Sequence, residues 1–156
     1  FYRVIYDREN WRRIVAYLNT DNYDRIPTLN RVLILNHIRD LPHDTESDVD
    51  LIIDILSYLP RETSTIPLLV GVGVMNDLAR ELINTPAYEP FKTFSLNLIT
   101  NTANCLGFSK QQEDDDLTEM LRQELLDLAC QLGHEDCKRF ATTRLLEAVR
   151  SQTHKP

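Results

Sequence analysis

The chain has 156 residues, the size of one domain, long enough to bury roughly two-thirds of the surface that its unfolded form exposes. Four glycines among plentiful Leu, Ile, Arg, Glu and Asp favour helix over sheet. A net charge of −7 argues against a nucleic-acid partner, and no apolar run approaches the roughly 20 residues that span a bilayer, so no membrane contact by this stretch is expected.

Residues 2–6 alternate aromatic and β-branched side chains and predict a short strand. No later segment reads as its partner, so the chain is expected to be the edge of a larger protein. Asp7 then caps a helix over 8–18, in which Trp11, Ile14, Val15 and Leu18 share one face. A second helix is predicted over 28–40, with Pro27 at its first turn. Leu29, Val32, Leu33, Leu35 and His37 make it apolar over a wide arc, which predicts a well-buried helix. Ser47 is expected to cap a third helix over 48–59, with Asp50 as a weak capping-box partner, and Pro60 to stop it.

Thr63 or Ser64 opens a fourth helix that tolerates Pro67 only near its start and runs to about residue 84, where Gly71 and Gly73 allow close packing. A fifth helix spans 88–105 and ends at Gly107, a good left-handed terminator. Residues 114–116 place carboxylates at the start of a sixth helix over 116–131, where capping and solvation account for them. Gly133 closes it, and a seventh helix follows from 134 to about 150, with a frayed tail. A serial array of helices with short turns and no strict repeat predicts an all-α fold. Its expected form is an irregular right-handed solenoid of HEAT- or armadillo-like helix pairs over residues 7–156, with the strand of residues 1–6 ahead of it.

Catalytic constellations are missing from the pattern. His134-Glu135 lacks a second imidazole four residues on, because Lys138 stands there, and His37, His43, His134 and His154 are scattered. Gly71-Val72-Gly73 lacks the third glycine of a nucleotide loop, no serine sits in a nucleophile elbow, and Cys105 has no basic neighbour in sequence. Cys130 and Cys137 flank the turn at Gly133. Two helix ends facing across such a turn bring sulfurs within bonding reach, and two reduced core cysteines satisfy the spacing equally well.

Taken in order, these pieces resemble the C-terminal helical domain of zinc aminopeptidases of the aminopeptidase N type, in a style closest to insect members. The family's Gly-Tyr-Tyr-Arg-Val-Asn-Tyr-Asp, followed by Trp, is matched by Tyr2, Arg3, Tyr6, Asp7 and Trp11. Arg31 follows Ile26-Pro27; Tyr58, Glu62 and Thr63 match Leu-x-Tyr-Leu-x-x-Glu-Thr; Pro67 follows Ile66. Gly107 stands in the Leu-Gly-aromatic turn. Cys130, Gly133 and Cys137 match the Ala-Cys-x-x-Gly-x-x-x-Cys hairpin, which implies a Cys130–Cys137 disulfide. The departures are Val32 to His37, where the family has Ala-Gln-Leu-Ile-Asp-Asp, and Leu68, where it has Trp.

The resemblance implies a piece truncated at both ends, its opening strand left from a preceding β-sandwich domain, with no catalytic residue, metal ligand or cofactor of its own. Zinc is expected in the parent's catalytic domain. The expected partners are the parent's own catalytic and β-sandwich domains and its peptide substrates. The expected role is a non-catalytic cover that limits peptide access to the substrate chamber, on an extracellular protein anchored to the cell surface through other parts. The alternative is a peptide- or protein-binding module of a diverged, inactive relative. An independent helical enzyme has no supporting motif.

Overall fold

A computed structural model describes residues 6–41 and 46–153. Among the described residues the regular structure is entirely helical: α1 (Arg8–Leu18), α2 (Thr28–Arg39), α3 (Glu46–Leu56), α4 (Thr65–Leu82), α5 (Tyr88–Leu106), α6 (Asp116–Gln131) and α7 (Glu135–Thr153), with single 3-10 turns at Tyr23–Arg25 and Leu59–Arg61. The strand expected over 2–6 lies outside the described residues except for Tyr6, which has no regular structure. The chain forms two compact units, one through Val74 and one from Met75, so that the division falls inside α4.

In the first unit α1 and α2 both pack on α3. Asp7 caps α1 as expected, its carboxylate accepting the Asn10 N–H at 2.8 Å. Trp11 and Leu18 are buried and Ile14 and Val15 half-buried, so the predicted face holds. The α2 expectation needs correcting. Leu29 and Leu33 are 68% and 58% exposed, and the buried stripe is instead Arg31, Ile34, Leu35 and Ile38. The reason is electrostatic: Arg31 has a buried carboxylate partner, and turning Arg31 inward turns the leucine edge outward.

α3 starts at Glu46, ahead of the expected first residue 48, and it stops at Leu56. An α-helix continued through Pro60 would lose an N–H and drive the ring into the carbonyl of residue 56, so the chain tightens into the 3-10 turn. Its Leu59 lies directly under Gly71; a Cβ at Gly71 would stand 2.6 Å from the Leu59 Cδ1 atom, which explains a glycine in the middle of α4. Pro67 is the third residue of α4, where no intrahelical N–H bond is forfeited.

In the second unit α5 packs on α6 and α6 on α7. Its core is Met75, Leu78, Phe91, Ile99, Ala103, Leu121, Leu125, Leu128 and Leu132. Asp115 caps α6 through the Thr118 N–H at 2.8 Å. Gly107 and Gly133 take φ of 68° and 84°, the left-handed values that end α5 and α6. After Gly133 the His134 N–H reaches the Ala129 carbonyl at 2.8 Å and the Gly133 N–H reaches that of Cys130 at 3.1 Å, a Schellman closure. That closure brings the Cα atoms of Cys130 and Cys137 to 5.2 Å, and their sulfurs are bonded. α7 begins at Glu135 and continues to Thr153, past the expected end near 150.

The bridge closes a short loop. Removing it as the Cys130→Ser/Cys137→Ser pair is expected to cost about 2.5 kcal/mol by the loop-entropy relation. Urea unfolding of oxidised, reduced and double-variant protein measures this. An unchanged midpoint on reduction would show that the Schellman turn and Leu132 alone hold the hairpin.

Candidate functional site

Three local arrangements bring polar and aromatic side chains together. The first is a buried polar clamp in the first unit. The Arg31 and Glu62 side chains are 3% and 0% exposed. Arg31 Nε donates to Glu62 Oε2 at 2.7 Å and Nη2 donates to Oε1 at 3.0 Å, a bidentate pair. Nη2 also reaches Ser64 Oγ at 3.2 Å, and Nη1 donates to the Ile26 carbonyl. The guanidinium lies 5.4 Å from the Tyr23 ring centroid. Glu62 in turn accepts the Tyr58 hydroxyl at 3.1 Å and the backbone N–H groups of Thr63 and Ser64 at 2.9 Å each, just before α4 begins. Thr63 contributes its backbone there, and its side chain is exposed. One carboxylate therefore ties α2, the 3-10 turn and the entrance to α4 together.

Burial pushes the Tyr58 hydroxyl far above the usual phenol range, and the Glu62 charge adds to the shift. A raised folded pKa means that the stability it confers is present below the unfolded value, near pH 10, and is lost as pH rises further. The wild type should then lose up to about 1.4 kcal/mol per pH unit more than Tyr58→Phe above about pH 10. Chemical unfolding of both at about pH 9 and about pH 11, on either side of the ordinary phenol pKa of about 10, reads this difference. Parallel losses in the two proteins would mean that Tyr58 ionises inside the fold.

The second arrangement was missed in the sequence. Arg122 on α6 and Asp114 in the α5–α6 loop are 6% and 8% exposed in their side chains. Arg122 Nη2 donates to Asp114 Oδ1 and Oδ2 at 2.7 Å each and Nε donates to Oδ2 at 3.1 Å. Nη1 donates to the carbonyls of Leu106 and of Gly107, the latter at 2.8 Å, at the C-terminal end of α5. Asp114 is thus an ion-pair partner, not a solvated capping residue. A signal existed: Arg122 adjoins Leu121 and precedes Leu125 by three, a cation on an apolar stripe, with acids in the loop just before it. Gly107 turns the chain here, and Phe108 packs edge-on to His134 at 5.9 Å and against Phe140 at 6.0 Å. The Leu-Gly-aromatic motif thereby anchors the loop to the α6–α7 hairpin.

The third is an open groove of about 660 Å³ in the first unit. α1 supplies Arg8, Trp11, Arg12 and Val15, α2 and its end supply His37 and Leu41, and α3 supplies Asp48, Asp50, Leu51 and Asp54. Tyr6 stacks edge-on to Trp11 at 5.1 Å, and Trp11 lies 4.8 Å from His37. The aromatic trio, one wall of carboxylates and one of guanidiniums suit binding of a chain with mixed charge. Among the described residues that line the groove there is no Ser, Thr, Cys or Lys.

Tyr2 and Arg3 lie outside the described residues. Tyr6, Asp7 and Trp11 meet at the groove and the α1 cap; Arg31, Tyr58 and Glu62 meet in the clamp; buried Pro67 sits just inside α4. Cys130, Gly133 and Cys137 form the hairpin closure, and Cys105 is free and exposed. Among the described residues no group of three or more His, Cys, Asp or Glu side chains could hold a metal. No described helix is long and apolar enough to cross a membrane.

The family model of the ERAP1-like C-terminal domain matches residues 1–155. Aminopeptidase N of Plutella xylostella is 31% identical over 145 residues, 93% of this chain and 15% of the relative. The thyrotropin-releasing hormone-degrading ectoenzyme of Rattus norvegicus is 24% identical over 99% of this chain and 15% of its own length. The membrane alanyl aminopeptidase of Manduca sexta is 26% identical over 88% of this chain and 14% of its own length. The chain therefore spans about 15% of the length of these curated relatives. No solved structure matches the chain.

Proposed function

Because the chain belongs to the ERAP1-like C-terminal domain family, we propose that it serves as the non-catalytic helical part of a zinc aminopeptidase, covering the substrate chamber and limiting which peptides enter. The catalytic domain, elsewhere in the polypeptide, would remove N-terminal residues. The observation that carries this reading is where the buried charge goes. Arg31, Glu62, Arg122 and Asp114 are all committed to joining helices, which is scaffold work. Zinc would be held by that catalytic domain, as membership of an aminopeptidase domain family suggests. The names of the membrane alanyl aminopeptidase and the ectoenzyme support a cell-surface home, and the Cys130–Cys137 bridge supports an oxidising compartment. The parent's own catalytic and β-sandwich domains are the partners this reading implies.

The purified chain with added zinc should hydrolyse no aminoacyl p-nitroanilide, and robust turnover would end the reading. The access role is tested in the parent protein by Glu62→Ala, which loosens the clamp. Long peptides should gain in kcat/KM relative to a single-residue amide. An unchanged ratio would remove the cover role.

The groove favours a second reading, a peptide-binding module of a diverged, inactive relative. Its charged walls and aromatic trio would hold an extended peptide of mixed charge. Titration of short labelled peptides against the wild type and Asp54→Lys separates the two. Saturable binding that is lost in the variant would support the module, and no binding would count against it.

A further inference from the structure

α5 turns an unusual face to solvent. No charged residue stands between Lys92 and Lys110, in a chain of which 26% is charged, so composition alone does not account for the gap. The exposed positions from 93 to 104 are Thr93, Asn97, Asn101 and Asn104. At about 100° per residue they lie within one arc of about 80°, opposite the buried Phe91, Ser95, Ile99 and Ala103. Half-buried Phe94 and Thr100 flank the arc. Asparagine and threonine are poorer helix formers than the Glu, Lys and Arg found at exposed positions of α7, and a face kept only for solubility gains nothing from them. Elsewhere asparagine amides are committed: Asn10 to Asp7, Asn19 to the Val15 carbonyl and Asn76 to Glu124. The amides of Asn97, Asn101 and Asn104 make no hydrogen bond among the described residues.

We propose that these three asparagines form a docking ladder for the main chain of an extended peptide, bound without regard to its side chains. A side-chain amide has an acceptor oxygen and two donor hydrogens, so it can pair with a peptide N–H and C=O at once. An extended chain turns such a pair to one edge at every second residue, about 6.7 Å apart. Asn97 and Asn101 are four positions apart, about 6 Å along the helix axis, and their two side-chain torsions take up the difference. Asn104 lies only about 4.5 Å further on, out of that repeat, and serves as a single donor or acceptor. Charge complementarity selects the same ligand: a face without charge suits the peptide unit, which is uncharged and carries both a donor and an acceptor. A neutral saccharide fits less well, because no exposed aromatic ring lies in the arc for a sugar to stack on. The inference rests on the chain meeting extended peptides, which both readings above share. The ladder belongs to the second unit and the groove to the first, so each can fail without the other.

The test titrates the whole chain into fluorescent, end-capped peptides of about eight residues, one alternating Thr and Val and one alternating Ser and Ile. A third repeats the Thr/Val sequence with every peptide nitrogen methylated, which removes its donors. The expected result is saturable binding of the first two, with Kd values within about threefold of each other, and binding of the third at least about tenfold weaker. Asn97→Ala/Asn101→Ala should weaken binding at least about tenfold while leaving Tm unchanged or raised, because alanine is the better helix former. A bulky maleimide on the exposed Cys105, one turn past Asn101, should block binding, and Asp54→Lys in the groove should leave it unchanged. No binding, equal binding of the methylated peptide, or binding that survives the double variant overturns the proposal. A preference of more than about tenfold between the two sequences overturns it too, since side chains would then be read. Loss in Asp54→Lys alone would place the peptide in the groove, and tighter binding of a neutral oligosaccharide, abolished by the double variant, would assign the face to carbohydrate; either result overturns the ladder.

Discussion

Glu62→Ala is expected to lower the free energy of unfolding by about 3–5 kcal/mol, read from urea midpoints at neutral pH. The change leaves the Arg31 guanidinium buried without its carboxylate, while the Tyr58 hydroxyl and the N–H groups of Thr63 and Ser64 lose their acceptor. A buried unpaired charge costs far more than the pair itself contributes. The double replacement Arg31→Met/Glu62→Leu should therefore recover most of the loss, because it removes both charges together. A single-variant loss under about 1 kcal/mol would mean that the pair behaves as a surface salt bridge. A double variant no better than the single would locate the cost in the orphaned backbone donors before α4.

Arg122→Ala should lower the Tm by about 10 °C, since it unfastens the Asp114 loop and the C-terminal carbonyls of α5 in one step. The effect carries a pH signature. The Gln111 N–H holds the Asp114 carboxyl below its ordinary range; burial opposes this, and the Arg122 hydrogen bonds add to the lowering. A depressed folded pKa means that the contribution is fully present above the unfolded carboxylate value of about 4 and is lost as pH falls toward the folded one. The Tm gap between wild type and Arg122→Ala should hold steady from neutral pH down to about 5 and narrow below about 4. A constant gap down through the acid range would show that Asp114 titrates independently of Arg122.

The two clamps share a design. In each, an arginine on the inward stripe of a helix grips an acid from outside that helix and caps carbonyls: Ile26 for Arg31, Leu106 and Gly107 for Arg122. Each guanidinium thus offsets its own desolvation with four or five donated bonds. The motif residues that make the chain resemble its family lie largely at these joints and at the Schellman hairpin, so the resemblance rests on joints between helices and not on any chemistry.

What the sequence by itself determined is the local part. The span of α1, the spans of α5 and α6 to within one residue, the cap at Asp7, and the terminators at Gly107 and Gly133 follow from rules that act over one or two turns. The cysteine spacing brought the sulfurs near each other but left the bond open until family likeness and the Schellman closure decided it. Only the tertiary structure decided which face of α2 turns inward, because Arg31 answers to a carboxylate 31 positions away and outweighs two leucines. It also made Asp114 an ion-pair partner instead of a solvated acid, and it left Leu145 and Leu146 exposed. Hydrophobic spacing reports that a face can be buried. Which face is buried depends on the partner it meets, and that partner lies far along the chain or outside it.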